Sequence, residues 1–233
     1  MLIFVCTAIM TVSFNACNKS DDLEQYEPGA IPGLGETIGE VPGNIFILPN
    51  GIEVIGEING SISSNNYWYQ SSSSEQSIHY YGSGPGYVDL LLKLRNVSSK
   101  SITVTFPRAT VFVSKSGSTQ NGILIQKVTI TIPANSDYYL GIVLYCGNRH
   151  KSSASRVSVY EIGIVCNASS LIDLCKLLQN KMINIEKFSS TSISDRNTYN
   201  SQKTLLQNIV WQVTDGNGLT QSDIDFINSL PNI

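Results

Sequence analysis

Charge is what this 233-residue chain has least of: only 14% of its residues are Asp, Glu, Lys or Arg, and the formal net charge is −3. Its 15 basic residues form no cluster able to neutralise a run of phosphates, which argues against nucleic acid as a partner. The acidic excess is also too small for a disordered solvating chain. Histidine is scarcer still, with His79 and His150 far apart in polar stretches. No nucleophile elbow, glycine-rich phosphate loop or HExxH motif occurs. The carboxylates Asp89, Asp137, Glu161, Asp173 and Glu186 are scattered, so no pair is nominated for glycoside hydrolysis. Asp215-Gly216-Asn217-Gly218 starts like a calcium loop, but Leu219, Thr220 and Phe226 stand where a ligand, the turn glycine and the bidentate Glu belong. The expectation is therefore no catalytic residue, no metal and no cofactor.

Long apolar runs are missing too. The longest, residues 2–14, is too short to span a bilayer but suits the core of a signal peptide. It leads into Phe14-Asn15-Ala16-Cys17, and Asn18-Lys19-Ser20-Asp21-Asp22 follows. A small residue before a Cys at this place resembles the lipobox of bacterial lipoproteins, and the polar, acidic turn resembles the export tag of Bacteroidota surface lipoproteins. The resemblance implies a signal peptide over 1–16, a diacylglycerol on Cys17 and attachment to the outer membrane, facing the cell surface. Residues 17–43, rich in Gly, Pro and acidic side chains, read as a flexible tether to that lipid anchor.

Turn residues and short apolar segments dominate what remains. Residues 45–48, 52–58, 87–95, 101–106, 110–114, 122–132, 138–145 and 156–165 read as strands, with Pro49-Asn50-Gly51 and 133–136 as turns. Regular spacing without helical patterns predicts a mainly β domain over 44–166, an antiparallel sandwich. The stretch from Asp89 to Asn148 resembles the Ig-like modules of exported bacterial proteins. From 167 to 233 the period changes to three or four, predicting a small helical unit packed on the sandwich. Leu171, Leu174, Leu177 and Leu178 mark a first helix with Ser169 or Ser170 as cap; Leu205, Leu206, Ile209, Val210 and Val213 mark a second, over about 200–214. Gly216 and Gly218 stop it, and Thr220 with Asp223 forms a capping box for a third.

Two sets of residues are candidates for function. Tyr67, Trp68, Tyr69, Tyr80 and Tyr81 lie in a stretch rich in Ser and Asn, a composition suited to adaptable recognition of a glycan or protein ligand. The other set concerns cysteine. With Cys6 removed in the signal and Cys17 acylated, Cys146, Cys166 and Cys175 remain; Cys175 falls on an apolar helix face, and Cys146–Cys166 is a possible disulfide. Tyr145-Cys146, together with Leu206-Gln207-Asn208-Ile209-Val210-Trp211, resembles the Tyr-Cys and Thr-Gln-x-Ala-Ile-Trp motifs of thioester-domain adhesins. Leu206 replaces the Thr and Ile209 the Ala. The resemblance implies an internal Cys–Gln thioester that captures nucleophiles on a host surface, with Cys146 as the thiol and Gln207 or Gln179 as the acyl donor. The plainer reading keeps Leu206, Val210 and Trp211 as helix core and Cys146 inert. On the sequence alone the expected function is non-catalytic surface binding or adhesion, with thioester capture and a structural subunit role as alternatives.

Overall fold

A computed structural model describes residues 23–61 and 78–233; the signal segment, Cys17, Tyr67, Trp68 and Tyr69 lie outside the described residues. The chain is mainly β with a helical C-terminal part. The strands are β1 (Gly43–Ile45), β2 (Ile52–Val54), β3 (Ile58–Ser61), β4 (His79–Gly82), β5 (Val88–Asn96), β6 (Ile102–Phe106), β7 (Thr110–Ser114), β8 (Gly122–Leu124), β9 (Val128–Ile132), β10 (Ser136–Cys146) and β11 (Val159–Cys166). The helices are α1 (Ser169–Leu178), α2 (Ile193–Thr214) and α3 (Gln221–Ser229). Among the described residues no helix is long and apolar enough to cross a membrane.

The expected Ig-like sandwich gives way to a closed barrel. The order β5-β3-β11-β7-β8-β10 returns to its start because β10 also pairs with β5, so six strands form a ring. The cause is the length of β10. One edge pairs with β5 from Ser136↔Asn96 to Leu144↔Val88, and the other carries β4 and β8. Ring closure leaves those edges no freedom to pair elsewhere. A register shift between Ile162 and Ile164 in β11 adds local curvature. The β4–β10 pairing is parallel, a departure from the antiparallel expectation. The 122–132 segment divides into β8 and β9, and β9 pairs with β6 in a separate two-stranded sheet.

Alternation along the strands sorts the core into two sides. Val88, Leu90, Leu92 and Leu94 of β5, and Leu140, Ile142, Leu144 and Cys146 of β10, share one buried cluster with Phe106 and Phe112. Tyr145 points the other way, into a cluster with Cys166, Cys175 and the buried faces of the helices. Cys146 and Cys166 thus project to opposite sides of the barrel wall. This is why the possible disulfide does not form, and all three described cysteines are free and buried.

The described part of the expected tether, residues 23–43, is instead a packed strap. Ile31 and Leu34 are fully buried among the helices. The strap backbone bonds at Glu24 N to Asn167 O, Gly29 N to Val213 O and Gly35 N to Gly147 O. Its close approach requires glycine: at Gly35 (φ +57°) a Cβ would lie 2.1 Å from the Thr214 carbonyl oxygen. The strap also caps α1. Ala168, not Ser169 or Ser170, is the N-cap, and Ser169 N donates to Glu24 O at 2.9 Å. α2 begins one to two turns before the expected start, on Ser192, whose hydroxyl accepts from Asp195 N. The Thr220–Asp223 capping box forms as expected.

Replacing Leu34 by Ala should therefore destabilise the fold by about 2–5 kcal/mol, the usual cost of emptying a buried leucine site. Urea unfolding measures this. An unchanged midpoint would return residues 23–43 to the status of a tether.

Candidate functional site

Pairing between β5 and β10 stops at Leu144↔Val88, two residues short of the strand end at Cys146. The chain enters β5 through Gly82-Ser83-Gly84-Pro85-Gly86-Tyr87, and Gly84 is pressed so closely on β10 that a Cβ there would meet Leu144 O at 2.1 Å. The backbone of Cys146 consequently lacks a strand partner on that edge, and Gln207 of α2 takes the place. Cys146 N–H donates to Gln207 Oε1 at 2.8 Å, and Gln207 Nε2 donates to Cys146 O at 3.0 Å. Both residues are buried, with Cys146 0% and Gln207 1% exposed.

Gln207 is held there by a stripe of α2 with a four-residue period. Tyr199, Lys203, Gln207 and Trp211 face the barrel one turn apart. Tyr199 Oη donates to Gly84 O at 3.3 Å, and Lys203 is buried within reach of the Asp89 charge. Trp211 stacks on Tyr87 with ring centroids 5.9 Å apart, and the Arg149 guanidinium lies over the indole, 5.4 Å from its centroid. Tyr145 Oη shares a 2.8 Å hydrogen bond with Ser83, tying the loop to β10 from the helix side.

The thiol itself sits over the turn that follows. Asn148 N donates to Cys146 Sγ at 3.4 Å, and Sγ–H donates to Asn148 O at 3.3 Å. Asn148 is fixed from every side, its Nδ2 donating to Gly33 O and Gly35 O of the strap and its Oδ1 accepting from Asn121 N. Burial pushes the thiol up to about 11; the Asn148 backbone and the Trp211 indole pull against that, and the Asp215 charge adds to it. The indole N–H of Trp211 is buried beside the sulfur but short of hydrogen-bond geometry, and it has no hydrogen-bond partner among the described residues. A buried donor without an acceptor is unusual. Here it stands next to the one nucleophile of the site.

The other candidates separate. Gln179 ends α1, where its Oε1 accepts from Arg108 at 3.1 Å, so it is not the partner of Cys146. Tyr80 and Tyr81 are neighbours on β4 and face opposite sides. The Tyr80 ring covers Gly141, whose added Cβ would lie 2.4 Å from it, and it packs with Phe188 and Tyr199. Tyr81 shares a 2.9 Å hydrogen bond with Tyr138 and opens onto a cleft. His79 stacks on Tyr138, whereas His150 is an exposed partner of Glu36 at 3.4 Å. Among the described residues no group of three His, Cys, Asp or Glu side chains could hold a metal ion. At the would-be calcium loop, Asp215 caps α2 and Asp223 caps α3.

Sequence reasoning gave no site role to Asn148, Ser83 or Tyr87, and weighed Asp215 only against a calcium loop. Asn148 was the most accessible, since a polar residue two places past a strand-ending Cys stands where a turn can return to the thiol. In comparisons with family models, curated proteins and solved structures, none matches this chain.

If Gln207 completes the ladder, removing it exposes the cost. In a Cys146→Ala background, Gln207→Ala should lose at least about 2 kcal/mol, because two buried backbone groups are left unpaired. Gln207→Glu in the same background should be tolerated near pH 4, where the neutral acid both donates and accepts. Its folded pKa is raised, so its stability is present below the unfolded value and is lost as pH rises through the folded one. Urea midpoints across pH that do not separate the two variants in this way would overturn the pairing.

Proposed function

We propose that the chain is a surface-displayed adhesin in which Cys146 and Gln207 condense into an internal thioester that captures a nucleophile covalently. The observation that carries this reading is the reciprocal pair of hydrogen bonds between the Gln207 carboxamide and the Cys146 backbone. Two residues 61 positions apart meet in a water-excluded place.

The chemistry follows from the geometry. The proposed step requires the Cys146 side chain to turn from Asn148, which holds its sulfur, toward the Gln207 carboxamide docked on its backbone. The sulfur–carbon bond forms as the carbon–nitrogen bond breaks, and the thiol proton leaves with the amide nitrogen as ammonia. Cys146 N–H already contacts Oε1, the oxygen on which negative charge develops, so it acts as an oxyanion donor. The unpartnered Trp211 N–H lies beside the sulfur and favours its anionic form. A primary amine then attacks the same carbon, forming an amide on Gln207 and returning the proton to Cys146. Display on the outer membrane through a lipid on Cys17 belongs to the proposal and is supported by residues 2–22 alone.

A second reading, non-covalent surface binding, is favoured by a different contact: the thiol is engaged twice by Asn148, and Gln207 needs no chemistry to satisfy the ladder. Intact mass separates the two. Residues 18–233 should be lighter than their sequence by one ammonia, and methylamine should then add and free one thiol. Cys146→Ala and Gln207→Ala should each abolish the deficit, while Gln179→Ala keeps it. A full mass unmoved by methylamine would leave only the second reading.

The thiol also sets a pH dependence. After the bond is opened with ammonia and the ammonia removed, the rate of reclosure should rise about tenfold per pH unit and level off near pH 11, because the thiolate is the nucleophile. A rate independent of pH between 7 and 9 on that scale would show that deprotonation of Cys146 is not part of the step.

A further inference from the structure

A cleft of about 900 Å3 shares no lining residue with the Cys146–Gln207 site. It lies against the β6–β9 sheet, the end of α1 and the 3-10 turn Ile185–Lys187. Its volume falls within the range of pockets that bind small ligands.

Cations outnumber side-chain carboxylates in its lining. Arg108, Lys127 and Lys187 bring three positive charges to it, in a chain whose net charge is −3. Among the described residues none of the three forms an ion pair; Arg108 reaches only the neutral Gln179 Oε1. The single side-chain carboxylate, Glu186, is committed to the protein: one oxygen accepts from Gly82 N at 2.9 Å and the other from Asn184 Nδ2 at 3.0 Å. The remaining polar wall consists of carboxamides and hydroxyls, partly engaged within the protein: Gln126 Nε2 donates to Leu178 O and Lys181 O, and Thr105 and Thr129 pair across the sheet at 3.2 Å. Such groups both donate and accept, matching the hydroxyls of a sugar. The guanidinium and ammonium groups match carboxylate or sulfate, and the Tyr81 ring offers an apolar face.

We propose that this cleft binds an acidic oligosaccharide, a sugar chain carrying carboxylate or sulfate groups, and does so independently of the chemistry at Cys146. A compact phosphate would use the cations but leave the amide and hydroxyl wall idle. A neutral glycan would leave the excess positive charge without a counterpart. The site therefore supplies reversible recognition of a charged glycan, whether or not covalent capture follows.

The test is calorimetric titration of residues 18–233 at physiological salt with galacturonic acid trimer, a sulfated heparin disaccharide and, as the neutral control, maltotriose. Saturable one-site binding of at least one acidic sugar is expected, with none of maltotriose. Lys127 and Lys187 are exposed, so the double variant Lys127→Glu/Lys187→Glu should fold and should weaken binding by about tenfold or more. Lys100→Glu/Lys115→Glu makes the same change in net charge elsewhere and should leave affinity intact, as should Cys146→Ala. The proposal is overturned if neither acidic sugar binds, if maltotriose binds equally, or if the two double variants behave alike. Because Cys146→Ala cannot condense, its result also keeps a failure of this proposal separate from a failure of the thioester.

Discussion

One unfinished ladder organises this protein. A buried backbone N–H and C=O must find partners, and the β5–β10 pairing ends two residues before β10 does. Had β5 begun earlier, Cys146 would be an ordinary interior residue of a closed barrel. Because the chain instead arrives through a glycine-rich loop, the Cys146 peptide groups need an outside partner. Only a side chain with adjacent donor and acceptor can serve both, and a carboxamide is the neutral group that does. The same requirement that stabilises the barrel mouth thus docks a carboxamide on the backbone of the cysteine, the contact on which the proposed condensation rests.

The surroundings enforce that encounter from three directions. From the helix side, the Tyr199, Lys203, Gln207 and Trp211 stripe docks α2 over the loop and the strand end. From the strap side, Asn148 is clamped to Gly33 and Gly35, which fixes the turn that receives the thiol. From within the barrel wall, Tyr145 points to Ser83 while its neighbour Cys146 points to the interior cluster. The two-sided alternation of a strand makes this division possible, with one residue anchoring the loop and the next presenting sulfur.

How much of this was legible follows from the range of the interactions. The strand alternation of β5 and β10, the period of α2 and the Thr220 capping box are local patterns, and each was readable in the sequence. Barrel closure was not, because it depends on β10 pairing along both edges, and no local pattern distinguishes a strand with two partners from one with a single partner. The strap was misread for a related reason: its glycines suit a flexible linker in composition, yet here several serve close approach, with Ile31 and Leu34 as its buried anchors. The motif resemblance named Cys146, Gln207 and Trp211 but could not choose between Gln207 and Gln179. That choice needed the contact between β10 and α2, which periodicity does not encode. Tyr80 and Tyr81 show the converse, since adjacent identical residues received a single reading and the two faces of β4 separated them.

Burial of the thiol bears on capture in two opposed ways. An internal thioester in open water hydrolyses, so a dry site preserves it until a nucleophile arrives. The same dryness raises the thiol's pKa and would slow the proposed bond-forming step. If the thioester forms, the docked carboxamide and its hydrogen-bonded oxygen favour the step, whereas the two Asn148 contacts to the sulfur must first be released. Access is the remaining demand. The stack of Tyr87, Trp211 and Arg149 covers the site with side chains that are half-buried or exposed, whereas every other side is barrel, helix or strap. Side-chain rotation there needs no unfolding of the barrel. A nucleophile would therefore enter through that aromatic cover, and the donor that favours the thiolate belongs to the residue that must move.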